Sequence, residues 1–399
     1  MSGHNMAVTF LGTTSGGGPT DTRSCSSLVL DALGDSSLWM VDCAEGTLRQ
    51  FALQPEHTNA YHRLRVANVK KIFITHMHAD HTMGIITLLR NLLGFAPDAS
   101  QPVKKPPVLK VELYGPVGLR AFVRTVMTLT HTRGADLYCV HELLGPGERP
   151  SAPSFASDAA SMLGTASGGE GEVGSGLHPN ERPGLDFMCD ADGCWRDMTA
   201  ANVHHGGASA RVTVHAGPII HRDPCIGYLF AENTLPPPSQ LSQHPLAQAR
   251  KSRTYAPRTI LILGDTSDPS PILPVLQTIP SPSPPSPSSS ALERPTQTLS
   301  VSLLIHECTS AFIPPHIDTR GTSGNKNRTL ASVEAKAITN GHSTPGMAGT
   351  FANLVGAESL VLNHLGSRYV ISLFRFSLHP HPYVFSCPPF TLSPMFSLL

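Results

Sequence analysis

Three imidazoles and one carboxylate fall within the six residues His76 to His81, in the stretch Thr75-His76-Met77-His78-Ala79-Asp80-His81. The apolar run Val69-Lys70-Lys71-Ile72-Phe73-Ile74 before it reads as a buried strand. Gly84-Ile85-Ile86-Thr87-Leu88-Leu89-Arg90-Asn91-Leu92-Leu93 after it reads as an apolar helix. The cluster therefore sits at the carboxyl end of a strand, where side chains converge on a cleft. Alternate residues of an extended segment share a face, so His76 and His78 can grip one ion with neutral ring nitrogens. Asp80 and His81, beyond the turn, point to a neighbouring position and can hold a second. Imidazole with carboxylate suits zinc, and manganese or another divalent ion less exclusively. The plain alternative is a solvated turn in a chain with 20 His among 399 residues.

Other strand ends carry chemistry too. Thr259-Ile260-Leu261-Ile262-Leu263 is a continuous apolar run of the kind buried on both faces. It ends in Gly264-Asp265-Thr266, which leaves Asp265 well placed to bridge two ions. Leu303-Leu304-Ile305 ends in His306-Glu307-Cys308-Thr309, and Ser359 to Asn363 ends in His364. His221 lies in a turn between two strands, 210–216 and 226–232. Asn340-Gly341-His342-Ser343-Thr344-Pro345 reads as a loop entering a helix, with Ser343 or Thr344 as N-cap and Pro345 as the first helical residue. Asp42 either caps a helix over Thr47 to Leu53 or accepts a hydrogen bond that orients a liganding histidine. Taken alone, His221 and His364 read as well as packed or surface histidines, and the plain alternative for His342 is a loop histidine capping the next helix. Gly16-Gly17-Gly18 lacks the following Lys and helix of a phosphate-binding loop and reads as a mobile turn near the site. His141, His178, His204 and His205 are not assigned to metal.

The formal net charge is zero, which excludes bulk attraction to nucleic acid, so any RNA contact must come from local basic patches. The eight Cys form no C-x-x-C pair and read as free thiols of a reducing compartment. There is no basic-then-apolar leader and no apolar run of about 18 residues, so a soluble protein, cytoplasmic or nuclear, is expected. The 34 Gly and 36 Pro cluster rather than spread. They divide the chain into residues 1–144 as the first part of a hydrolase domain, 145–208 as a flexible low-complexity insertion, 209–369 as the rest of that domain with a Pro/Ser loop at 279–298, and 370–399 as a divergent tail.

These residues come in the order and context of ribonuclease Z, the tRNA 3′-processing endonuclease branch of the metallo-β-lactamase superfamily. The His76 to His81 cluster marks the superfamily. The Gly341-His342-Ser343-Thr344 loop and His364 followed by Arg368-Tyr369 resemble the branch more specifically. The resemblance spans residues 6–369. It implies an α/β fold: an αβ/βα four-layer sandwich of two facing mixed β-sheets with outer helices and metals at one edge. It implies that His76, His78 and His221 hold a first zinc, that Asp80, His81 and His364 hold a second, and that Asp265 bridges them. Asp80 would also accept a proton, and His342 would protonate the leaving oxygen with Glu307 as its partner. Arg368 and Thr266 stand as substrate contacts. Precursor tRNA is the implied substrate and a homodimer the implied assembly, with no membrane and no DNA expected. The insertion at 145–208 occupies the place of a tRNA-gripping arm but is Gly/Ser-rich rather than basic. Cys308 stands where the family has Ala, Gly366 where it has Ser, and the tail lacks the family's charged helix.

The chemistry expected is attack by a metal-activated hydroxide on a phosphodiester, with His342 giving a proton to the departing alkoxide. Two other readings compete: a two-metal phosphodiesterase acting on a small cyclic phosphodiester, and a non-catalytic RNA-binding relative.

Overall fold

The computed structural model describes residues 6–54, 64–96, 105–153, 176–205, 208–234, 257–277, 301–314, 316, 328–369 and 384–386. In chain order the first half contains β1 (Ala7–Gly12), β2 (Thr14–Ser15), β3 (Ser27–Asp31), β4 (Leu38–Val41), α1 (Thr47–Ala52), β5 (Val69–Phe73), α2 (Ala79–Thr82), α3 (Ile85–Leu92), β6 (Leu109–Pro116), α4 (Leu119–Leu129), β7 (Leu137–Leu144), β8 (Glu181–Arg182) and β9 (Asp186–Met188). The second half contains β10 (Trp195–His205), β11 (Ala208–Ile219), β12 (Cys225–Thr234), β13 (Thr259–Leu263), α5 (Leu273–Leu276), β14 (Leu303–Glu307), α6 (Leu330–Thr339), α7 (Pro345–Leu354), β15 (Leu360–Asn363), β16 (Leu365–Gly366) and β17 (Val384–Ser386).

Two mixed sheets result. One has the order β17-β1-β3-β4-β5-β6-β7-β8, with β9 also on β7. Its strands run parallel from β4 to β7. The other has the order β10-β11-β12-β13-β14-β15 and is parallel from β13 to β15.

Period-two alternation explains why the sheets stack face to face. Leu28 and Leu30 of β3 and Trp39 and Val41 of β4 point into the space between the sheets, while Val29, Leu38 and Met40 point outward. On the second sheet Tyr228, Phe230, Ile260 and Ile262 point inward, while Leu229, Leu261 and Leu263 point outward. Phe73 centres the inner layer, its ring 5.1 Å from Tyr114 and 5.3 Å from both Tyr228 and Phe230. The outward residues are covered on the first sheet by apolar faces of α1, α3 and α4, including Phe51, Leu88, Leu89 and Val123. On the second they are covered by α5 and α7, including Val275 and Phe351. This is the expected four-layer αβ/βα sandwich.

The region after residue 145 departs from expectation. Its residues 176–205 are built into both sheets rather than forming a flexible insertion. The Trp195 indole N–H donates to the carbonyls of Leu144 and Phe187, at 3.2 and 3.0 Å. The register of β10 shifts between Trp195 and Thr199, with Asp197 at φ 50°, and this bulge breaks the alternation that would have announced the strand. Residues 154–175 and the Pro/Ser loop at 279–298 lie outside the described residues. Of the tail, only 384–386 is described, as a strand antiparallel to β1. Among the described residues no helix is long and apolar enough to cross a membrane.

A buried ionic network ties α4 to the sheet edge. The fully buried guanidinium of Arg120 donates to the carbonyls of Val140, Leu185 and Ala152 and to Asp186, with Glu142 at 3.6 Å. Glu142 in turn accepts from the N–H groups of Gly118 and Arg120 at the start of α4 and from Ser151. Removing the cation strands the buried Glu142 carboxylate, which costs about 3–5 kcal/mol. Arg120→Met should therefore lower the free energy of chemical unfolding by about that amount. An unchanged unfolding midpoint would show that the network does not hold the edge together.

Candidate metal centre

The carboxyl ends of four parallel-paired strands meet at one edge of the sandwich. β5 leads into His76, His78 and, on the short helix α2, Asp80 and His81. β13 delivers Asp265, β14 delivers Glu307, and β15 delivers His364. The turn between β11 and β12 adds His221, and the turn between α6 and α7 adds His342. Tight backbone approaches seat these turns. A Cβ on Gly84 would lie 2.0 Å from the Ala44 carbonyl oxygen, so only glycine lets α3 start against the loop after β4. Gly341 sits at φ 76°, and a Cβ there would lie 2.6 Å from His221 Nδ1. The β12 strand is pinned to the site by the Tyr228 hydroxyl, which donates to the Ile74 carbonyl at 2.7 Å, and by Ile226 N–H, which donates to Thr75 at 2.9 Å.

His76, His78, His221 and Asp265 place one donor atom each within 4.8 Å of one another. Asp80, His81 and His364 do the same. The Asp265 carboxylate faces both groups. Its Oδ2 lies 3.7 Å from His76 Nε2, and its Oδ1 lies 3.2 Å from His364 Nδ1 and 3.6 Å from His81 Nε2.

The outer nitrogens decide what the inner ones offer. Thr75 Oγ1 donates to Asp42, so it accepts from His76 Nδ1–H at 3.1 Å and leaves a lone pair on His76 Nε2. His78 Nε2–H meets Asp223 at 2.7 Å, leaving a lone pair on Nδ1. Those two lone-pair nitrogens face each other at 2.9 Å. His81 Nδ1–H meets Asp42 at 2.7 Å, and His364 Nδ1–H meets Thr309 Oγ1 at 2.9 Å, the Thr309 hydroxyl being spent on Glu307. Their Nε2 atoms face each other at 3.2 Å. In these neutral tautomers the paired nitrogens repel at such distances unless a shared proton or a metal cation lies near both. His221 Nδ1–H donates to the Gly341 carbonyl at 2.6 Å, and its Nε2 is buried with no hydrogen-bond partner. Asp265 Oδ1 is likewise buried without a hydrogen bond. This donor set fits a divalent cation, and zinc in particular, with an oriented partner behind each imidazole.

Asp80 Oδ2 accepts from Gly16 N–H at 2.7 Å, which puts the glycine loop against the site. Burial works to raise the Asp80 pKa, but with protons rather than an ion on these rings the hydrogen bond from His364 and the charge of His81 outweigh it and hold the carboxyl well below its usual range. Glu307 is buried and saturated. It accepts from the N–H groups of Ser343 (2.8 Å), Thr309 (2.8 Å) and Thr266 (3.2 Å), with His342 Nδ1 also at 3.2 Å. Burial alone would depress the His342 pKa. The Glu307 hydrogen bond and charge, with Asp265, raise it above the ordinary histidine value.

One assignment changes. Thr266 is fully buried, and its hydroxyl donates to the Ile220 carbonyl at 2.9 Å, so it braces the His221 turn and does not face a substrate. Glu307 has no free edge to offer a substrate, and it contacts His342. Arg368 is exposed near His342. Asp42 is no helix cap: Gly46 precedes α1 at φ 81°, and Asp42 instead orients His81. Sequence reasoning gave no role to Thr75, Asp223 or Thr309, because short polar residues beside a motif carry no pattern of their own.

Residues 20–92 match the family model of the metallo-β-lactamase superfamily. Human "Zinc phosphodiesterase ELAC protein 1" is 29% identical over 381 residues, covering 92% of this chain and 87% of that one. The crystal structure of human tRNase Z, short form (ELAC1), superposes with a TM-score of 0.53 at 26% identity, covering 96% of this chain and all of that one. The chain is thus similar to proteins of the metallo-β-lactamase superfamily and, among them, to the ribonuclease Z branch. A "Ribonuclease Z" of Prochlorococcus marinus (strain NATL1A) is 40% identical over 128 residues, 32% of this chain and 35% of that one. The orienting partners are read from this chain's own contacts.

Asp42 accepts from His81 and from both the N–H and the hydroxyl of Thr75, so it sets two imidazoles at once. Asp42→Asn should weaken zinc affinity by about 10–100-fold, the usual cost of losing such a partner. Competition against a chromogenic chelator measures it, and wild-type affinity in the variant would deny Asp42 this role.

Proposed function

We propose that this chain is a metal-dependent endoribonuclease that removes 3′ trailers from precursor tRNA. The observation that carries the reading is the pair of facing imidazole couples, spanned by one carboxylate, with His342 held beside them by a buried glutamate. The human relatives named zinc phosphodiesterase and tRNase Z support the metal and the substrate class. Two divalent ions, zinc first and manganese next, are proposed: one for His76, His78 and His221, one for Asp80, His81 and His364, with Asp265 shared. The proposal extends to a homodimer, to RNA rather than DNA, and to a single hydrolase domain running through both sheets.

When bound, such ions supply Lewis acidity toward a phosphodiester and toward water. The chain's own residues do the rest. Asp80, kept ionised, is available to accept a proton at its carboxylate. His342 has Nδ1 at Glu307 and only 13% of its side chain exposed, so Nε2 is the nitrogen left to meet a departing alkoxide. Glu307 raises the proton affinity of that ring, which favours its acid form. Ser343 and Thr309 fix Glu307 in turn, so the proton donor stands in one orientation before substrate arrives.

The test is cleavage of a 3′-extended tRNA with and without chelator. Chelation should abolish the cut and added zinc restore it. Asp80→Ala should lose both bound metal and activity. His342→Ala should keep its metal and lose about 10²–10⁴-fold in rate, the usual contribution of a positioned acid. Cleavage that survives chelation, or a His342→Ala variant as fast as wild type, would overturn the reading.

A further inference from the structure

Next to His342 opens a groove of about 470 Å³ that none of the seven proposed ligands lines. Four cationic side chains stand around it: Arg222 from the turn after His221, Arg328 just before α6, Lys336 on α6, and Arg368 after β16. Among the described residues no Asp or Glu lines it. The other lining residues are hydroxyl and amide side chains, one valine and His342 itself. None of the four cations forms an ion pair with a described residue. A chain of zero net charge thus sets four cationic side chains around one groove, against the wall that carries His342.

We propose that this groove binds the phosphates of the RNA strand on the leaving-group side of the cut, and this rests on the endonuclease reading above. His342 meets the departing oxygen, so the nucleotides attached to that oxygen must pass along the wall His342 shares. Polyanionic strand is the ligand that four convergent cations recognise. Each phosphate neutralised contributes about 0.7 to the salt dependence of single-strand binding. Arg328 and Lys336 touch no proposed ligand, and α6 keeps its Thr329–Ser332 capping box without them.

The double variant Arg328→Gln/Lys336→Gln is compared with wild-type holoenzyme on two substrates, a 3′-extended tRNA and the small diester bis(p-nitrophenyl) phosphate. The expected result is a loss of about tenfold or more in kcat/KM for the RNA, with the slope of log kcat/KM against log salt shallower by about 1.4, that is, two phosphates. The small diester, too short to reach the groove, should be hydrolysed within about twofold of wild type. Equal losses on both substrates would show a merely structural role, and unchanged RNA kinetics with an unchanged salt slope would refute the groove; either result overturns the proposal. If wild type hydrolyses the diester but leaves the RNA uncut, the endonuclease reading fails on its own. Binding of the uncut RNA to both proteins then decides the groove, a shallower salt slope in the variant supporting it and equal slopes sinking it.

Discussion

The close approach of imidazole nitrogens around one buried carboxylate is the constraint around which this molecule is built. His76 and His78 face each other at 2.9 Å, His81 and His364 at 3.2 Å. They are kept in place because every outer nitrogen is tied down: to Thr75, Asp223, Asp42 and Thr309. Asp42 and His364 hold positive φ angles of 59° and 51°, a conformation unfavourable for residues with a Cβ. The backbone strain, the facing nitrogens and the Asp265 oxygen without a hydrogen bond all lie within one cluster, and a bound cation would satisfy the nitrogens and the oxygen together.

Such strain has to be met by rigidity elsewhere, and the two-sheet core provides it. The ligands come from segments as far apart in sequence as His76 and His364, so no local structure can hold them. They are positioned by parallel strands buried on both faces, β5 in one sheet and β13 to β15 in the other, locked together by the aromatic layer around Phe73. The Tyr228 hydroxyl and the Ile226 N–H then stitch the sheets directly at the site. Loss of the inter-sheet packing would disperse the ligand set before it disturbed any single ligand's surroundings.

This division of labour explains what could be read from the sequence. Buried parallel strands are continuous apolar runs, and Thr259–Leu263 announces both itself and the carboxylate just beyond it. The His76 to His81 cluster is dense enough to stand out against a histidine-rich background. The Thr344 cap and Pro345 start of α7 follow rules that need no tertiary context. What stayed hidden depends on long-range contact. Asp42 had two readings that only its distance to His81 separates. Thr266 looked like a substrate contact because it follows Asp265, yet its hydroxyl turns back into the protein. The strands between 181 and 205 were masked by Gly/Ser composition nearby and by the bulge at Asp197.

Charge is arranged on the same plan as the lone pairs. The chain carries as many acidic as basic residues, so it has no long-range pull on a polyanion. Where its carboxylates are spent matters more than how many there are. Asp42, Asp223 and Glu307 are each committed to a histidine, and Glu142 and Glu181 are committed to the guanidinium groups of α4. None of these five lines the groove of Arg222, Arg328, Lys336 and Arg368. The carboxylates that give the site its order thus leave the neighbouring surface positive, and an anionic strand drawn to that surface would lie against His342 without any need for the protein as a whole to be basic.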